Sequence, residues 1–197
     1  MTINTSRTFP WFRRWGSWTL GFLSFPLAGI TGGAIAGPVD TPFAAALGGI
    51  VTGLVIGAGQ WLASGRRLRA AAWIPATAVG MGVGLLLGAT SVGFGTGLAD
   101  LALMGAITGV PLGLAQAIAL PARTRLRWLW AAMMPALWSL GWIISTLVGV
   151  DVDTQYTVFG STGAITVSAL TGLLFQLITP SATIAPESVS STIEVSS

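Results

Sequence analysis

The sequence has no cysteine and no histidine, and each of its nine basic residues is an arginine. Disulfides, thiol nucleophiles and the imidazole or thiolate ligands that most zinc, copper, haem and iron–sulfur sites need are thereby excluded. Charge of either sign is scarce: 8% of the 197 residues are charged, against roughly a quarter in an ordinary soluble domain. With 53% apolar residues and a mean hydropathy of +0.80, the composition is that of an integral membrane protein, with no stretch left over for a soluble domain. Catalysis is poorly supplied, because no carboxylate pair, lysine or histidine falls within an apolar run and the serines and threonines have no visible base. Neither an enzyme nor a cofactor nor a metal is expected.

What is abundant is glycine, and its spacing organises the chain. Gly49, Gly53 and Gly57 are followed by Gln60, and the pattern returns as Gly105, Gly109, Gly113 and Gln116. It returns again, loosened by one residue, as Ala164, Ser168, Gly172 and Gln176. Residues four apart share a helix face, so each stretch presents a smooth groove of the glycine-zipper kind that ends in an amide. Gly29 and Gly33, Gly80, Gly84 and Gly88, and Gly141 with Ser145 extend the same small-residue packing to the intervening helices.

Six apolar spans follow, at about 17–36, 43–63, 70–90, 101–120, 128–148 and 158–178. Pro26 should kink the first and Pro111 should bend the fourth, whereas Pro75 falls in the opening turns of the third. Residues 1–16, with Arg7, Arg13 and Arg14 among aromatics, read as a basic surface anchor, and 179–197 as a disordered polar tail. Arg13 and Arg14 ahead of an apolar run ending Ala34-Ile35-Ala36 also suggest a signal peptide, but the run exceeds a typical signal core.

Counting alternate loops puts every arginine on one side of the membrane and every aspartate on the other. One missed or invented span would scramble that segregation. Arginine-rich loops face the cytoplasm, so both termini are expected there, in a plasma membrane and most naturally a prokaryotic inner membrane. Trp11, Trp15, Trp18, Trp61, Trp73, Trp128 and Trp130 then fall at the cytoplasmic interface, where amphipathic rings are favoured.

The expected fold is all-α: six transmembrane helices forming three tandem parallel helical hairpins, at about 7–63, 64–120 and 121–178, joined through small-xxx-small faces. Three hairpins resemble the mitochondrial carriers in architecture alone. Pro38-Val39-Asp40 begins the carrier signature, but Phe43 stands where a base belongs and the other two repeats lack the motif, so no family follows.

Gln60, Gln116 and Gln176 are the sharpest candidates. As a pseudo-threefold ring they would form a polar constriction, and otherwise they are interhelical hydrogen-bonding glue, the commoner role. Asp40, Asp100, Asp151 and Asp153 could gather cations at an outer mouth, but solvated turn carboxylates are the ordinary case. Trp138 and Trp142, a turn apart in mid-helix, could line an apolar pocket or simply pack. Arg13, Arg14, Arg66, Arg67, Arg69, Arg123, Arg125 and Arg127 are candidate contacts for anionic lipid headgroups. The partners expected are the lipid bilayer, those headgroups and other membrane subunits, and no nucleic acid. A structural or accessory component of a membrane complex leads, followed by a small transporter or channel for a neutral or lipid-like solute and by a pigment- or lipid-binding subunit.

Overall fold

The computed structural model describes residues 10–149 and 155–179. Arg7, Asp151, Asp153 and the tail from Pro180 lie outside the described residues. Among the described residues all regular structure is helical: α1 (Pro10–Leu20), a 3-10 turn (Gly21–Leu23), α2 (Ser24–Ala36), α3 (Pro42–Ala63), α4 (Ala70–Ser91), α5 (Leu98–Ala119), α6 (Arg127–Leu147) and α7 (Ser161–Ile178). Taking α1 and α2 as one span, Trp11–Ala36, six helices are long and apolar enough to cross a membrane. A helix of 22 residues, such as α3, is about 33 Å long, enough for a hydrocarbon core of about 30 Å.

Helix begins at Pro10, ahead of the Ser17 start suggested by hydropathy, because the basic and aromatic anchor continues the same helix. The 3-10 turn interrupts the first span just before Pro26. Pro26 can neither donate to the carbonyl of Phe22 nor clear it sterically, and the turn tightens where that bond is lost. Ser24 closes the turn by donating its hydroxyl to Gly21 O at 2.7 Å. Elsewhere proline is absorbed: α4, α5 and α6 run on through Pro75, Pro111 and Pro135. At the start of α3, Thr41 Oγ1 accepts the Ala44 N–H at 3.2 Å and Pro42 occupies the first turn, where no N–H is needed.

Each span packs on its neighbours in sequence, and α1 closes on α7, so the six spans form a ring. Glycine makes the close approaches. A Cβ on Gly53 would lie 2.6 Å from Thr77 O, and one on Gly49 the same distance from Met81 O, both on α4. Gly109 would meet Met134 O and Pro135 Cα at 2.6 Å on α6, with Gly105 and Gly113 against the turns on either side. Gly80, Gly84 and Gly88 face α5 in the same way, Gly84 against Thr108 O at 2.6 Å. Gly57 lies against Thr77, Gly141 against Phe159, and Gly172 against Trp15 and Trp18, while Ala164, Ser145 and Ser168 are buried. On α2 the pattern shifts: Gly33 has open space around it, Gly29 touches only Val158, and Gly32 makes the approach to Thr52 and Thr157.

The last span is shorter than hydropathy suggests. α7 starts at Ser161, and residues 155–160 run ahead of it without helix, yet Gln155, Thr157, Val158 and Phe159 are buried. At 18 residues α7 is about 27 Å long, and this segment fills the space above it at the end where the aspartate loops lie. Val39 N–H donates to Gln155 O at 3.2 Å and Gln155 Nε2 donates to Gly95 O at 2.6 Å, tying the loops of that end together. The outward faces remain apolar, with Leu27, Ile30, Phe43, Ile118 and Leu177 among the most exposed side chains, as expected of contact with lipid.

Candidate functional site

Inside the ring, near its arginine-bearing end, lies a buried polar network. Trp73 in the first turn of α4 donates its indole N–H to Gln60 Oε1 on α3 at 3.1 Å. Trp130, in the first turn of α6, does the same to Gln116 Oε1 on α5 at 3.0 Å. Gln116 Nε2 then donates to Gln60 Oε1 at 3.2 Å and to Thr77 Oγ1 at 3.1 Å, and the Thr77 hydroxyl donates to Trp73 O at 2.9 Å. An indole nitrogen can only donate, so each glutamine must turn its oxygen to the ring, which leaves the Gln116 amine to link the two pairs.

Gln116 is fully buried and Gln60 nearly so, at 0% and 7% exposed. Both N–H donors of Gln116 are engaged and its oxygen accepts one bond, and no titratable group takes part. The network ties four helices, α3 to α6.

Gln176 lies apart from it. Half-buried, it accepts from the Arg67 guanidinium at 3.4 Å, and its Nε2 is enclosed without a partner. The α7 residue that reaches the centre is its neighbour Phe175, stacked on Trp18 with centroids 4.4 Å apart. Trp18, lacking a glutamine, donates instead to Thr171 Oγ1 at 3.0 Å. The rings of Trp18 and Trp73 each meet Trp130 edge to face at about 6 Å, so the odd-numbered spans touch across the ring through their tryptophans.

Trp18, Trp73 and Trp130 are therefore core residues, not members of an interfacial belt. Position along a helix places a tryptophan at the right depth, but helix phase decides whether it points to lipid. Trp11 and Trp128 do point outward. Trp138 and Trp142 pack in the half of the ring towards the aspartates, against Phe159 at 5.0 and 6.0 Å, with Phe25 completing the cluster. Together with Met81, Met104, Met134, Ile56, Leu85, Leu101 and Leu112, these side chains fill the interior.

The described arginines gather at one end of the bundle. Arg67 is the most constrained: its Nε donates to Ser64 O at 2.9 Å and its guanidinium sits 4.7 Å from the centroid of Phe175. Burial, and then the charge of Arg14, lower its pKa from the ordinary value. Arg66 lies over Trp61, Arg127 donates to Pro121 O at 3.0 Å, and the Arg125 backbone N–H donates to Ile178 O at 3.1 Å. Asp40 and Asp100 are at the opposite end, Asp100 in the first turn of α5 where its charge complements the helix dipole.

The chain matches no family model, no curated protein and no solved structure at significant similarity.

Proposed function

We propose that this protein is a non-enzymatic structural or accessory component of a membrane complex, built as three tandem helical hairpins packed through small-residue faces. The observation that carries the reading is the filled interior: aromatic and aliphatic side chains meet across the ring, and the Gln60–Gln116 network has its bonds closed among four helices. A conduit for a neutral or lipid-like solute would need those same tryptophans and glutamines to part.

The repeat is supported by hydrogen bonds as well as by spacing. Thr52 Oγ1 donates to Ala28 O, and Thr108 Oγ1, 56 residues on, donates to Gly84 O, 56 residues beyond Ala28. The Trp73–Gln60 and Trp130–Gln116 pairs also recur, with the glutamines 56 residues apart and the tryptophans 57. The third hairpin departs from the pattern by placing Phe175 where the others have glutamine. Confinement of the described arginines to one end supports a cytoplasmic location for that end, and arginine-only basic usage with compact loops fits a prokaryotic inner membrane.

Gentle extraction of the protein with its native lipids, followed by native mass spectrometry, tests the role. The expected result is a second protein bound at constant ratio. A lone chain carrying a discrete small molecule, lost when Gln60, Gln116 and Gln176 are changed to leucine, would overturn it in favour of transport.

A further inference from the structure

Two clefts adjoin on the flank between the first span and α3. One, of about 300 Å³, is lined by Arg13, Arg14 and Arg67 with Ser17, Ala63, Ser64 and Gly65. The other, of about 330 Å³, is bordered by Leu20, Leu23, Leu27 and Leu62 and floored by Gly21, Ser24 and Gly59. Ser17 and Ala63 line both, so the basic cleft opens directly into the apolar one. The approach of the two helices makes this groove shallow and continuous: Ser17 Oγ donates to Ala63 O at 2.9 Å, and a Cβ on Gly21 would lie 3.1 Å from that of Ala63.

The four leucines are 56–61% exposed and face outward, where the bilayer would be. We infer that this paired cleft is a binding site for one anionic phospholipid, its phosphate held by Arg13, Arg14 and Arg67 and an acyl chain lying along the leucine groove. The site needs the protein to span a bilayer but does not depend on the scaffold role.

Charge complementarity selects the occupant. Three arginines line one cleft, and the described carboxylates, Asp40 and Asp100, lie at the other end of the bundle. Arg67 is held before any ligand arrives by Ser64 O, Gln176 and the ring of Phe175, so little side-chain freedom is lost on binding. Its pKa is lowered first by burial and then by the charge of Arg14, and a phosphate beside it would offset both. A soluble anion would use the basic cleft but not the groove, whereas a zwitterionic lipid would use the groove with less gain from the arginines.

The test is lipid retention by the full chain in nanodiscs of mixed phosphatidylglycerol and phosphatidylcholine, read by native mass spectrometry after gentle release. Wild type should retain one phosphatidylglycerol. Each guanidinium removed should weaken retention about fivefold, so Arg14→Gln with Arg67→Gln should lose most of it. Arg123→Gln with Arg125→Gln, equal in charge but outside the cleft, should stay within about twofold of wild type. Arg13→Gln with Arg14→Gln, on the exposed face of α1, replaces the first pair if loss of the Arg67 contacts lowers the melting temperature.

Equal losses from the cleft and control pairs would overturn the site in favour of diffuse attraction. Equal retention of phosphatidylcholine would reduce it to a tail groove, and displacement of the lipid by excess glycerol 3-phosphate would make it a soluble-anion site.

Discussion

At the scale of single residues, the three glutamines look equivalent in sequence and differ in what they bond. Gln116 makes three hydrogen bonds with no exposure, and its loss strands the Trp130 N–H in the core. Gln116→Leu should therefore destabilise the protein by about 1–3 kcal/mol, the usual cost of an unsatisfied buried group. Gln60→Leu removes two acceptor contacts at a slightly exposed site and should cost somewhat less. Gln176→Leu gives up one long bond to Arg67 but also removes an amine enclosed without a partner, so its net effect should be about 0.6 kcal/mol or less. Thermal melting in detergent checks the order, and a Gln176→Leu loss as large as that of Gln116→Leu would refute it. The spacing to the preceding glycines exposed all three residues, and it was the one-residue slip in the third that separated them. A step of one residue turns a side chain by about 100°, enough to exchange the interior for the flank.

Single elements explain why some glycines were legible and others not. A strict four-residue step drifts by about 40° each time around a helix, so a row of glycines tracks a neighbour only while the crossing follows it. On α3 and α5 it does: Gly49, Gly53 and Gly57, like Gly105, Gly109 and Gly113, stay against the backbone of the next helix. On α2 it does not, and Gly32 carries the contact while Gly33 faces open space. Gly48, Gly59, Gly82 and Gly163 also make close approaches that lie outside the selected rows. The contrast sets a paired prediction. Gly109→Ala puts a methyl group 2.6 Å from the Met134 carbonyl and Pro135 Cα, neither of which can rotate away, and should cost about 1–3 kcal/mol. Gly33→Ala meets nothing and gains helix propensity, so it should be neutral or stabilising by up to about 1 kcal/mol. Refolding or melting measurements in one detergent compare the two directly, and similar losses at both positions would discredit the close-approach account.

For the whole molecule, hydropathy and charge read together located six spans and separated the arginine loops from Asp40 and Asp100, because burial in lipid constrains composition over every window of about 20 residues. Ring closure was not legible. It depends on the phase at which α1 meets α7 and on residues 155–160, of which Val158 and Phe159 are apolar enough that hydropathy joins them to the helix they precede. The filled interior follows from both, and it makes a claim about water that the cysteine-free sequence lets one test. Single cysteines at Asp40 and Ala122, exposed at opposite ends, should react with a membrane-impermeant maleimide from opposite sides of sealed vesicles. Met81→Cys and Met134→Cys, at positions fully enclosed by the six spans, should stay unreactive toward a small methanethiosulfonate reagent until the protein is unfolded. A conduit that opens during function would admit the reagent at these two sites within the native lifetime of the protein. Slow labelling there, with fast labelling at Asp40 and Ala122, would instead mean that the tryptophans and glutamines stay joined, leaving the outer surface and its clefts as the part of the molecule on which other components can act.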